Sequence, residues 1–307
     1  RYQLKIVNID TKEEIEHEIP ELAYCSYFWY KNTIYYLMGD DKNRLYQLWK
    51  YDFKNNNNIK LFQSDNELID VGASLSEDKT HIFITADSYE TDDVYCLLTE
   101  DEKMEIKQFT KKVEGHKYDV SFHKGLYFVV TNIDNCRNFK VMISDSIGLK
   151  TSQWNDFINY HEKIYIKGVD VLDKYLLISF SENGNNMVRV VPQRKSNTKN
   201  MYYDLSESYN IESKQEIKNI NYLDLEIYNT NKIIYSENTL KTPYTLYELK
   251  DMELVIDTDI KKNKLLLEKK YIIKSLEKFK INFNKEKNRA GDWHINNLMY
   301  CLKTKQI

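Results

Sequence analysis

The stretch EGHKYDVSFH, Glu114 to His123, brings two histidines and an aspartate into one line, His116, Asp119 and His123, residue types that acid–base and metal chemistry use. Two imidazoles and a carboxylate make a metal site or a general-base pair only if they converge. The alternation of the stretch reads as a β-strand, in which successive side chains face opposite sides. His116, Tyr118, Val120 and Phe122 then share one face, and Lys117, Asp119, Ser121 and His123 the other. The two histidines differ by seven positions, point apart and cannot share a metal. Asp119 and His123 share a face but stand roughly 13 Å apart along it, too far for a dyad. The stretch is expected to be structural wall.

The other reactive residue types give weaker patterns. GASLS, Gly72 to Ser76, lacks the second glycine of a nucleophile elbow and lies in strand-like sequence. The acidic run DSYETDD, Asp87 to Asp93, has no glycine or ligand periodicity of a calcium loop and reads as a solvated hairpin loop. His161 beside Glu162, and the solitary His294, have no partners at useful spacing. The four cysteines, Cys25, Cys96, Cys136 and Cys301, form no C-x-x-C pair and read as buried free thiols of a reducing compartment. The sequence therefore assigns no catalytic residue, no cofactor-binding residue and no metal ligand.

The elements around these residues repeat. A short apolar strand, a polar stretch and a second alternating strand recur five times, with first strands starting near Ile34, Ile82, Leu126, Leu176 and Ile233. The spacings are 48, 44, 50 and 57 residues, and each unit is preceded by a further apolar strand. Four strands in about 40 to 50 residues is the period of a β-propeller blade. Such blades bury their faces only against neighbours. The fold class is all-β, a propeller of four-stranded blades in which Trp29, Trp49, Tyr118 and Phe128 are expected to pack between blades. Asn55 to Asn58 and the polar segment from Arg194 to Lys218 read as loops.

Composition agrees with strands. Of 307 residues 13% are aromatic, 25 of them Tyr, against only 8 Gly and 3 Pro. The net charge of −3 provides no general attraction to nucleic acid or an anionic membrane, and no apolar run reaches the ~18 residues of a membrane span. One segment is asymmetric: Lys261 to Lys287 holds ten Lys against three Glu. It could serve as a basic surface for a protein partner.

Five phrases in order resemble the N-terminal propeller of the prolyl oligopeptidase family of serine peptidases, in particular its oligopeptidase B branch. They are LYQLWKYD from Leu45, EGHKYDVSFH from Glu114, TNIDNCRNFKV from Thr131, QWNDFI from Gln153 and SENTLKTPYTLYEL from Ser236. The resemblance runs from about Tyr2 to Leu254 and implies an incomplete part of a seven-bladed propeller. Residues 1–254 would comprise the last strand of one blade and about five further blades. Residues 255–307 would be a basic tail, a degenerate remnant of the entry into an α/β-hydrolase domain. The chain opens inside strand-like sequence, so its natural N-terminus is expected upstream.

The resemblance also implies a role. The family's propeller caps the hydrolase active site and admits only short peptides, here expected to be basic, in a cytoplasmic enzyme. The partners are then the hydrolase domain and the peptides, and the catalytic triad lies on residues that this chain does not match. The other reading is a non-catalytic propeller relative that acts as a scaffold for a protein partner.

Overall fold

In the computed structural model, residues 3–15, 17, 19–20, 26–195, 201–203, 205–211, 219–222, 233–238 and 245–249 are described. A short hairpin, β1 (Ile6–Val7) and β2 (Glu14–Ile15), precedes three four-stranded antiparallel meanders. Blade one is β3 (Tyr27–Tyr30), β4 (Thr33–Gly39), β5 (Leu45–Asp52) and β6 (Asn57–Gln63). Blade two is β7 (Asp70–Leu75), β8 (His81–Asp87), β9 (Asp92–Leu98) and β10 (Lys107–Gln108). Blade three is β11 (Tyr118–His123), β12 (Leu126–Thr131), β13 (Lys140–Ser144) and β14 (Asn155–Ile158).

The fourth blade has β15 (Ile164–Leu172), β16 (Tyr175–Glu182) and β17 (Asn185–Lys195), with β18 (Met201–Tyr203) and β19 (Tyr209–Asn210) both paired on β17. The last sheet is β20 (Asn219–Tyr222), β21 (Ile233–Asn238) and β22 (Thr245–Leu249), joined to β17 by the single parallel pair Asn186 and Asn219. Among the described residues the only helical elements are two three-residue 3-10 turns, Thr151–Gln153 and Leu205–Glu207.

The second strand of each blade explains the stacking. β12 is LYFVVT, and its side chains divide by parity between two cores. Tyr127 and Val129 join Phe83, Val94, Cys96 and Phe109 of blade two, whereas Phe128 and Val130 join Ile166, Ile178 and Phe180 of blade four. β8 does the same, sending Ile82 and Ile84 to Tyr35 and Leu48 of blade one and Phe83 to blade three. A strand buried on both faces needs an apolar run rather than alternation, which is what β8, β12 and β16 supply. Each such side chain removed from water contributes about 1.5–3 kcal/mol, so the seams hold the array together.

Several expectations are met and several shift. Tyr118 and Phe128 sit at seams, and half-buried Trp49 packs on the core of Tyr36 and Tyr51. Trp29 does not pack between blades: it is 44% exposed, with its ring stacked at 5.3 Å on Phe53 of its own sheet. The asparagine run is a tight hairpin rather than a free loop, because Asn57 and Asn58 already belong to β6 and the Tyr36 hydroxyl donates to Asn58 at 2.8 Å. The segment 194–218 contains β18 and β19, short strands paired on β17 of blade four rather than loop throughout. The basic stretch Lys261 to Lys287, His294, Cys25 and Cys301 lie outside the described residues.

Candidate functional site

The opening cluster does not converge. His116 precedes β11, is 2% exposed, stacks on Tyr118 at 4.4 Å and shares a 2.8 Å hydrogen bond between its Nε2 and Thr131 Oγ1. His123 closes β11, is fully buried and bonds Tyr203 beside blade four. The two imidazoles thus belong to the seams on opposite sides of blade three. Burial holds both pKa values down to about 4, so they are neutral packing groups at neutral pH. Among the described residues no group of three His, Cys, Asp or Glu is placed to hold a metal ion.

GASLS is also structural. Gly72 lies in β7 opposite Thr85, where a Cβ would come within 2.5 Å of Thr85 Oγ1. Ser76 is buried in the following turn and accepts the His81 amide at 2.9 Å. Cys96 and Cys136 are free and buried, and burial pushes the Cys96 thiol up to about 12, an inert thiol.

What the structure does assemble is an acidic group where the β8–β9 hairpin meets the start of β11. The Asp92 carboxylate accepts the Tyr118 amide at 3.1 Å and pairs with Lys117, whose Nζ also reaches the Ser88 carbonyl at 2.8 Å. The Asp92 amide donates to the His116 carbonyl at 2.9 Å, and the Gly115 amide to Thr91 Oγ1 at 2.9 Å. Sequence reading took this hairpin as solvated loop. Tyr89 at its tip is indeed 96% exposed, but its base is stitched to the next blade. No linear pattern could reveal that, since the partners come from separate repeats.

Two more carboxylates face this stitch. Burial, then the like charge of Asp92, raises Asp87 to about 6 against the pull of Thr85 and Lys117. Asp119 is raised too, again by burial first and by Asp92 after it. Asp119 nevertheless has solvent-accessible surface. β11 is the edge strand of its sheet and leans on β15, with Ser121 Oγ donating to the Val169 carbonyl at 2.8 Å. Asp119 stands on that edge strand, exposed to solvent. The chemistry available there is attraction of cations, since the neighbouring Ser121 hydroxyl is spent on the Val169 carbonyl.

Four-stranded meanders stacked face to face through two-sided second strands define a β-propeller array. The chain belongs to the prolyl oligopeptidase N-terminal β-propeller domain family, whose model matches residues 1–253. Oligopeptidase B from Trypanosoma brucei superposes with a TM-score of 0.67 at 20% identity, over 77% of this chain and 33% of that one. Oligopeptidase B from Leishmania major gives 0.64 at 16% identity, over 73% of this chain and 32% of that one. Dipeptidyl aminopeptidase BI of Pseudoxanthomonas mexicana is 19% identical over 254 residues, 81% of this chain and 33% of that protein. The chain thus spans about a third of the length of these relatives.

Proposed function

We propose that this chain is the substrate-gating propeller of an oligopeptidase B-like serine peptidase that hydrolyses short, basic peptides in the cytoplasm. Residues 1–254 act as the filter, and residues 255–307 lead toward an α/β-hydrolase domain that carries the catalytic serine, aspartate and histidine. The observation that supports this reading is the proximity of Asp87, Asp92 and Asp119 where the β8–β9 hairpin meets β11 in a propeller of this family. Negative charge in a confined, low-dielectric passage concentrates cationic peptides, and narrow blade edges exclude folded chains. The buried free thiols of Cys96 and Cys136 suit a reducing compartment.

The test uses the natural full-length protein, captured through an antibody to this chain and treated with a fluorophosphonate. Labelling of a serine, with cleavage of short lysine- or arginine-containing peptides and no cleavage of the same sites within folded proteins, is the expected result. Cleavage independent of substrate length would remove the gating role. Absence of labelling on folded protein would replace the peptidase with a non-catalytic scaffold.

A further inference from the structure

Two buried rings at the seam between blades two and three each carry a nitrogen that bonds nothing among the described residues: His116 Nδ1 and Trp154 Nε1. His116 is 2% exposed and Trp154 5%. Their ring centres lie 6.2 Å apart at a tilt of 43°, and the two nitrogens do not bond each other. Unpaired polar groups this deep are rare, and two on neighbouring rings point to one shared partner.

Neither ring is free to turn elsewhere. The His116 amide donates to the Val113 carbonyl at 3.2 Å, and its Nε2 is already engaged with Thr131 Oγ1, a hydroxyl that also accepts the Ile133 amide at 3.1 Å. Trp154 follows the 3-10 turn Thr151–Gln153, donates its amide to the Thr151 carbonyl at 3.2 Å, and lies 5.8 Å from the Phe109 ring and 6.4 Å from that of Tyr118. Rotation of either ring would break this packing.

The chemistry of the shared partner follows from the atoms. An indole N–H only donates, so its partner must accept, which a cation does not do. The charges acting on His116 are the carboxylates of Asp93 and Asp134, which disfavour an anion and are themselves held by Gln108 and Lys112 and by Lys140. Nδ1 accepts when the ring proton sits on Nε2 and donates in the other tautomer. Water accepts the indole proton and serves Nδ1 in either tautomer, whereas a direct bond between the rings fits only one. Bridging otherwise unsatisfied buried groups is the ordinary role of an internal water.

We propose that the seam between blades two and three binds a single internal water molecule, which accepts the Trp154 Nε1 proton and hydrogen-bonds His116 Nδ1. It ties together the entries to the first and last strands of blade three, β11 and β14. The site does not depend on the peptidase reading.

The test is nuclear magnetic resonance of the whole chain labelled with nitrogen-15 at tryptophan and histidine. Trp154→Phe removes one of the four indole signals and so assigns it. In a rotating-frame experiment on the unmutated protein, the Trp154 indole proton should show a cross-peak at the water resonance opposite in sign to the diagonal, which marks a resident water rather than hydrogen exchange. Loss of that cross-peak, or a cross-peak with the sign of exchange, would overturn the proposal. So would a nitrogen–nitrogen coupling between Trp154 Nε1 and His116 Nδ1, the mark of a direct hydrogen bond.

Discussion

The hydroxyl of Tyr118, on the first strand of blade three, accepts the backbone amide of Val94, on the third strand of blade two, at 3.0 Å. Past the end of β10 the Phe109 amide still donates to the Val94 carbonyl at 2.8 Å, whereas the buried Val94 amide takes its acceptor from Tyr118. A side chain from the next sheet thus completes the hydrogen bonding of this one.

Tyr118→Phe should therefore cost more than the loss of a surface hydroxyl. It leaves the Val94 amide buried and unpaired, at about 1–3 kcal/mol. Urea unfolding of the variant would show this as a lower midpoint at unchanged slope.

Acid should loosen the seams. His116 and His123 have pKa values near 4 in the fold against 6.5 free, and His81, which bonds Tyr127 across a seam at 3.0 Å, is also lowered by burial. A depressed histidine contributes stability that is complete above pH 6.5 and lost as pH falls toward 4. Asp87, raised to about 6, acts in the opposite sense between pH 6 and 3.8 and offsets part of the loss. Thermal midpoints between pH 7 and 4.5 should fall, and His116→Gln should flatten the fall even though it lowers the midpoint at pH 7.

Lys140 is a buried charge held by two exposed carboxylates, Asp134 and Asp156, each at 3.1 Å. Either Asp→Asn change alone should cost less than about 1 kcal/mol, since the other partner remains. The double change leaves the ammonium uncompensated and should cost about 3 kcal/mol or more, a non-additivity that a double-mutant cycle measures directly.

Asp119 is the carboxylate that tests the proposed attraction of basic peptides. In the full-length protein Asp119→Asn should lower kcat/KM for lysine-containing short peptides several-fold at low salt, by about the value of one screened charge. The difference should shrink at 0.5 M salt and be absent for an uncharged peptide.

The repeat and the two-sided second strands were legible because each blade writes the same period into the chain. LYFVVT and YLLISFSE are apolar on both faces, and only a stacked sheet uses such strands. The wall character of His116 and His123 was legible too, from parity alone. The outer strands β18 and β19 were not, because they are only three and two residues long within an otherwise polar segment. Trp29 was misplaced because aromatic character alone does not say which neighbour a ring takes, and this one lies on Phe53 and stays 44% exposed. The acidic group of Asp87, Asp92 and Asp119 could not be read because its members come from three strands in two blades.

The β8–β9 hairpin that clasps the start of β11 has a consequence for how the molecule comes apart. Stacked repeats ordinarily fray one unit at a time, each with its own opening free energy. Here Tyr118 and Asp92 make the second and third sheets borrow each other's backbone partners. Their amides should exchange with deuterium as one cooperative unit.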